Sequence, residues 1–398
     1  MTNGGGTLGV LGQCQANSGT VRHAVWSLRT PSDPKAVEPF RQSNIPVVFG
    51  DRGRGEFRDA DIVQIEWWNN PEINDMLVNE DLPECRLLLN SRAHFDAPWM
   101  CPSENLLRRV DYCTVTAPSA IENSTFERNR LEAGLPPATC VLSAAHFVPQ
   151  DIRKESLRRE VVFGYLGTVE PIKIHSRFLN IASSVISKVP DVSFVVAGDG
   201  TLDDYRSQAR QLGINDKIRF LGHVSDTVKF LQAVDVFFYP LNKYTYATSE
   251  KALQEAMLAS LPCVVFPYGG IRDVAKQEYA LIAEDEETFA RACVRLASSP
   301  SLRMELGNRA QRAIEELDHR NSVVNDLSFA FEKVMSIAPR ARSSQNITRK
   351  QLMEYVADFS GVRPERVTQQ DYEDCRQVAT FVEDAYFEWL NASRLIAM

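Results

Sequence analysis

The stretch Tyr239–Gly270, YPLNKYTYATSEKALQEAMLASLPCVVFPYGG, is where residue types and spacing first suggest chemistry. Thr248 and Ser249 are N-cap residues for a helix over roughly Glu250–Ser260. The first amides of a helix that starts at the carboxyl edge of a parallel sheet point at open space and favour an anion. Glu255 sits inside that helix, close enough to its start to face the same ligand. The stretch therefore predicts a phosphate near the amides of residues 248–250 and a hydroxyl-rich group near Glu255. The plainer reading of Glu255 is a helix-surface carboxylate with Lys251 four residues before it.

Other candidates lie where strands end. Val161–Leu166 (VVFGYL) reads as a strand closing on Gly167, and the loop Thr168–Ile174 after it carries Lys173. Val192–Ala197 (VSFVVA) closes on Gly198-Asp199-Gly200. Trp67-Trp68-Asn69-Asn70 follows the strand Asp61–Glu66, and His94 follows the strand Cys85–Asn90. Ligands collect at such ends in open α/β sheets. Trp67, Trp68 and Asn69 fit an acceptor platform; the competing reading puts one tryptophan in the core and the other at a helix start. For His94, a site role and a structural role weigh equally.

The elements that must hold these residues alternate. Thr7–Gly12 reads as a strand, and Thr20–Arg29 has helical spacing at Val21, Ala24, Val25 and Leu28. Ile45–Phe49, Tyr112–Thr116 and Thr139–Leu142 read as strands, with helices between. Residues 143–160 turn basic and polar and read as an interdomain linker. A second α/β series follows, through Ile218–Leu221, Val234–Tyr239 and Cys263–Phe266. The expected fold class is α/β: two Rossmann-like, doubly wound domains facing a cleft. The boundaries are 1–150, 151–335 and a helical extension, 336–398, with helices over Thr348–Phe359 and Gln369–Ala392. The second of those carries a wide apolar face, Val378, Phe381, Val382, Ala385, Tyr386 and Trp389, read as packing against the preceding domain.

The 398 residues suffice for two full cores, with 44% hydrophobic and 24% charged residues. A net charge of −8 argues against a nucleic-acid partner. No run of about 18 apolar residues predicts a membrane span, and the first residues lack signal-peptide features. Eight cysteines form no CxxC pair; buried free thiols in a reducing cytoplasm are expected, with no structural metal site. Nothing in the sequence sets an oligomeric state.

Four segments, in order, resemble the retaining GT-B glycosyltransferases of family 4. These are GTVEPIK (Gly167–Lys173), VVAGDGTLDDY (Val195–Tyr205), IRFLGHV (Ile218–Val224) and QEAMLASLPCVVFPYGGIRDV (254–274). The resemblance covers roughly residues 161–317. It implies transfer of a hexosyl group from a UDP- or GDP-type sugar to an acceptor hydroxyl, with retention and without metal or further cofactor. It implies that Lys173 neutralises the leaving diphosphate with the amides near Thr248, Ser249 and Glu250. It implies further that Glu255 grips the ribose and that His94 contacts the donor sugar near the reacting centre. Gly167, Thr168, Gly198 and Gly200 would line the donor. Two departures stand out. Thr168 occupies a position where the family often has arginine. Ala247 replaces the first glutamate of the paired-glutamate motif, and Thr248-Ser249-Glu250 replaces the Gly-Phe-Gly after it. Glu250 then either takes over the donor-hydroxyl contact or is a first-turn carboxylate favoured by the helix dipole.

The acceptor is expected to be a sugar, a glycolipid or a small molecule. Envelope or exopolysaccharide assembly is the family's commonest employment. Residues 1–150 hold 13 Lys and Arg against 18 Asp and Glu, a net of −5, which does not support docking on an anionic membrane. It suits a neutral or cationic acceptor such as an amino sugar or aminocyclitol. A GT-B epimerase and a non-catalytic sugar-nucleotide-binding protein are the alternative classes. Acceptor-dependent release of nucleoside diphosphate separates the first reading from both.

Overall fold

A computed structural model describes residues 5–31, 34–50, 53, 56–96, 100–142, 160–171, 173–243, 245, 248–316 and 319–358. The chain divides into two compact units. Among the described residues, one holds 5–142 and 319–358 and the other 160–316. The expected linker at 143–160 falls almost wholly outside the described residues, as does the expected helix Gln369–Ala392.

The second unit carries one six-stranded, all-parallel sheet. Its order is Ile218–Gly222, Val192–Ala197, Val161–Leu166, Val236–Tyr239, Cys263–Val265, Ala280–Ile282. The strands are nearly continuous apolar runs because helices cover parallel sheets on both faces. Phe163 stacks on Phe194 at 5.0 Å, and Phe238 meets both rings edge-on. Helix Phe178–Lys188 buries Phe178, Leu179, Ile181, Ala182 and Val185. Helix Glu286–Ser298 starts with an Asp285–Thr288 capping box and sends Phe289 into the same core. The chain leaves Val161–Leu166 toward one sheet edge and returns at Val236–Tyr239 on its other side. That reversal is a topological switch point, where strand ends leave a crevice.

The first unit holds a four-stranded parallel sheet ordered Val63–Trp67, Leu87–Ser91, Tyr112–Val115, Thr139–Cys140. A separate parallel pair joins Val25–Ser27 to Val47–Phe49. Two expectations fail at the start. Residues Gly5–Ala16 are a helix, not a strand at Thr7–Gly12. Leu11 and Cys14, three apart on that helix, pack with Phe40 and Ile45, so the short apolar run had two possible periods. The helix expected over Thr20–Arg29 is replaced by the strand Val25–Ser27, because Val47–Phe49 offers it a partner.

The boundary at residue 335 also changes. Helix His319–Met335 belongs to the first unit, where Ala330 and Val334 pack with Leu88 and Tyr112, and Val323 and Leu327 pack with Val141. The extension then adds a strand, Arg340–Arg342, antiparallel to Leu82–Cys85, before helix Arg349–Val356. Asp111 anchors this strand. Its carboxylate accepts from Arg342 Nη2, from Arg340 Nε at 2.8 Å and from the Leu87 amide at 2.7 Å. The Asp111 and Arg342 side chains are each 3% exposed. Removing one partner of such a pair strands a buried charge. Asp111→Ala is therefore expected to destabilise the first unit by about 3–5 kcal/mol, read as a lower urea midpoint by circular dichroism. A midpoint within error of wild type would show that the pair anchors nothing.

Candidate functional site

Three loops at the carboxyl end of the second sheet are tied together by backbone. The Gly167 amide donates to Ala197 O at 3.0 Å, Val169 to Asp199 O at 2.8 Å and Gly198 to Gly222 O at 2.8 Å. Gly198 has φ +142°, and a Cβ there would lie 1.8 Å from the Gly167 carbonyl oxygen, so no side chain fits. Gly200 bridges Val169. The Thr168 carbonyl accepts from Tyr165 Oη at 2.8 Å. Gly167, Thr168, Gly198 and Gly200 thus form one compact rim.

Lys173 stands on this rim in a tight turn, its amide bonded to Glu170 O at 2.9 Å and its carbonyl to the Asn242 amide at 2.8 Å. Asn242 Nδ2 also donates to Pro171 O at 2.9 Å. These bonds pin the loop after the first strand to the loop after Val236–Tyr239, across the switch point. Lys173 Nζ lies 3.7 Å from Glu250 Oε2, with side-chain exposures of 15% and 3%. Tyr239 Oη hydrogen-bonds the same carboxylate oxygen. The Tyr239 ring, itself buried, stacks on Tyr165 at 5.5 Å.

The helix beside Lys173 is Lys251–Leu258. Its N-cap is Glu250, not Thr248 or Ser249, and no side chain caps it. Glu250 has φ +37° and ψ +63°, left-handed geometry that is uncommon without glycine. The Glu250 carbonyl accepts from the Gln254 amide at 3.0 Å, and Gln254 Nε2 donates to Ser249 O. Thr248 is wedged from the other side. A Cβ on Gly270 would lie 1.6 Å from the Thr248 carbonyl oxygen, so the Gly269-Gly270 turn packs directly on this loop. The structure therefore brings Lys173, Glu250 and the helix start together. Glu255 follows five residues after Glu250 on the same helix. Burial pushes its carboxyl from the usual 4.5 up to about 7, with Lys251 opposing the shift.

In the first unit, His94 is buried and held at both ring nitrogens. Nε2 meets Ser119 Oγ at 3.2 Å, while Nδ1 meets the Asp96 amide at 3.2 Å and its carboxylate at 3.3 Å. Of the expected acceptor platform, Trp67 is corrected to a core position. Trp67 is closed to solvent and its indole N–H donates to Asn74 Oδ1 at 2.9 Å. Asn69 adopts φ +58° and accepts from Asn74 Nδ2 at 2.6 Å, while Asn70 caps helix Pro71–Asn79. Trp68 is half-buried against Gly6. The group builds a helix entrance. Sequence reading missed a polar cluster at the same strand ends. Arg92 Nε donates to Glu66, Asn90 Nδ2 donates to both Glu66 oxygens at 3.1 Å, and Arg92 Nη2 donates to Gln13 Oε1 at 3.0 Å. Its signal was present: Gln64 and Glu66 alternate with Val63 and Ile65 inside an apolar strand.

Two Rossmann-like units in one chain define the GT-B glycosyltransferase fold. The Anabaena protein HepE, solved with UDP and glucose, shares it at a TM-score of 0.63 and 14% identity, over 83% of this chain and 96% of that one. Within the second unit, residues 160–299 match the family model for glycosyl transferases group 1. The chain is similar, at 30% identity over 152 residues, to the Escherichia coli UDP-Gal:alpha-D-GlcNAc-diphosphoundecaprenol alpha-1,3-galactosyltransferase, covering 36% of this chain and 38% of that one. It is 25% identical over 137 residues to the Niallia circulans 2-deoxystreptamine N-acetyl-D-glucosaminyltransferase, covering 34% of each. The chain thus matches little more than a third of either relative's length. Among the described residues, no helix is long and apolar enough to cross a membrane.

The raised carboxyl of Glu255 has a consequence for stability. Below about pH 4.5 it is protonated in both folded and unfolded chains, and above about 7 it is ionised in both. Between those values only the unfolded chain releases the proton, so this group's contribution to stability falls as pH rises. Glu255→Gln is expected to flatten that part of the stability profile, measured by thermal melts from pH 4 to 8. Parallel wild-type and variant profiles would rule out the shift.

Proposed function

We propose that the protein is a glycosyltransferase that moves a hexosyl group from a UDP- or GDP-type sugar to an acceptor hydroxyl. The observation that carries this reading is Lys173 beside the start of helix Lys251–Leu258 at the switch point of a six-stranded parallel sheet. That geometry suits a diphosphate, whose charge a lysine and helix amides stabilise as it leaves. Glu255 holds the ribose, and the glycine rim at 167, 198 and 200 lets the donor approach the backbone. Support comes from the group 1 family match over residues 160–299 and from a structural neighbour solved with UDP and glucose.

Transfer proceeds with retention and without a metal ion, through front-face attack in which the leaving diphosphate takes the acceptor proton. Catalysis is then chiefly positioning and electrostatics. His94, fixed by Ser119 and Asp96, serves the transfer step. The acceptor belongs to envelope glycolipid or polysaccharide assembly, in line with the diphosphoundecaprenol substrate in the E. coli relative's name. A small aminocyclitol acceptor is the second reading. It is favoured by the net −5 of residues 1–150 and by the N. circulans relative's 2-deoxystreptamine.

Thermal-shift titration with UDP- and GDP-sugars tests the donor site and names the base. One nucleotide is expected to stabilise the wild type. Lys173→Ala is expected to weaken its binding by roughly 10- to 100-fold, the loss of one charged hydrogen bond. No stabilisation by any of the nucleotides would refute the reading. His94→Ala is expected to lower kcat while leaving UDP or GDP affinity unchanged; an equal loss in affinity would instead place His94 in donor binding.

A further inference from the structure

We propose that Glu250 is a resident counter-ion for Lys173, one that pairs with the ammonium group when the donor is absent and weakens the hold on the diphosphate when it is present. The proposal rests on the donor-site reading of Lys173. Three observations carry it. First, Lys173 is largely enclosed, and an enclosed ammonium needs an anion. Glu250 supplies one from a carboxylate that is itself almost fully buried.

Second, the carboxylate is anchored elsewhere. Glu250 Oε2 takes a hydrogen bond from Tyr239 Oη, whereas Lys173 Nζ stands 3.7 Å away, beyond hydrogen-bond length. Lys173 can therefore turn toward another anion while Glu250 keeps a partner. A carboxylate fixed at that distance from the same lysine also repels an arriving diphosphate. It lowers affinity for the donor and for the nucleoside diphosphate product alike, and so speeds product release.

Third, the backbone does not favour glutamate here. Glu250 lies in the left-handed region, at φ +37°. That geometry is costly, and the side chain's contacts with Tyr239 and Lys173 are what offset it. The enclosure by Tyr239 and Lys173 also argues against the alternative in which Glu250 grips a donor-sugar hydroxyl.

The test is isothermal titration of the full chain with UDP and UDP-glucose, or with GDP and GDP-mannose where the guanine nucleotide is the one that stabilises the wild type. Glu250→Gln is expected to bind the bare nucleoside diphosphate at least fivefold more tightly and to melt at a lower temperature without it. Glu250→Gly suits the left-handed backbone and should show the same tightening, so a poorly folded Gln variant does not blunt the test. In Lys173→Ala/Glu250→Gln the gain should vanish, because it acts through Lys173. An unchanged or weaker affinity for the bare nucleotide in the Glu250 variants overturns the proposal. So does a loss confined to the nucleotide sugar, which would mark a sugar contact. Lys173→Ala alone separates the two levels. If it binds as wild type does, the donor-site reading itself falls; if it loses affinity while the Glu250 variants gain none, only the counter-ion falls.

Discussion

A parallel sheet cannot be wound from its middle strand without a reversal, and the reversal here fixes nearly everything at the site. Val161–Leu166 is hydrogen-bonded to Val192–Ala197 on one side and to Val236–Tyr239 on the other. The loops leaving the two halves diverge, and the ladder itself opens a crevice at their carboxyl ends. The loop after Val161–Leu166 brings Lys173 to that crevice, and the segment after Val236–Tyr239 brings Glu250. Backbone bonds from Asn242 to Lys173 and Pro171 hold the edges in register. Bare backbone at Gly198 and Gly270 is what lets the neighbouring loops approach so closely.

Charge at this crevice is arranged economically. One ammonium, one carboxylate and one phenol share a nearly closed space, with the amides of a helix start alongside. Each member is held by an element with its own packing reasons. Tyr239 is the last residue of a core strand and Glu250 the cap of an amphipathic helix, while Lys173 sits in a turn closed by Glu170. Their relative placement therefore has the stiffness of the core behind it rather than that of a loop.

The second unit was legible because its signals are local. Four of its six strands are mostly apolar runs of four to six residues that close on Gly or Pro, and the helices between have buried faces. Lys173 was readable from its place after such a strand, and Glu255 from its helix. The first unit was harder. Residues 5–16 and 20–29 have apolar spacings that satisfy either period until a partner is known, and Phe40, Ile45 and Val47–Phe49 decided them. Trp67 and Asn69 lie at a strand's carboxyl end, as a ligand platform would, yet Asn74 claims both. Glu250 as the cap could not be read either, since a left-handed glutamate runs against every propensity and follows from contacts distant in sequence.

The return of helix His319–Met335 to the first unit makes that unit discontinuous and the second one an insertion within it. On a ribosome, residues 1–142 emerge well before the helix that covers Leu88, Tyr112 and Val141. At ordinary elongation rates the interval is on the order of 10–35 s. For that time the first sheet lacks one of its packing layers, and Leu82–Cys85, in a separate two-stranded sheet, lacks its partner strand. Among the described residues the inserted unit is one continuous segment, 160–316, and needs no such wait. Synthesis order and folding order are thus inverted: the unit translated second is the first that can be completed.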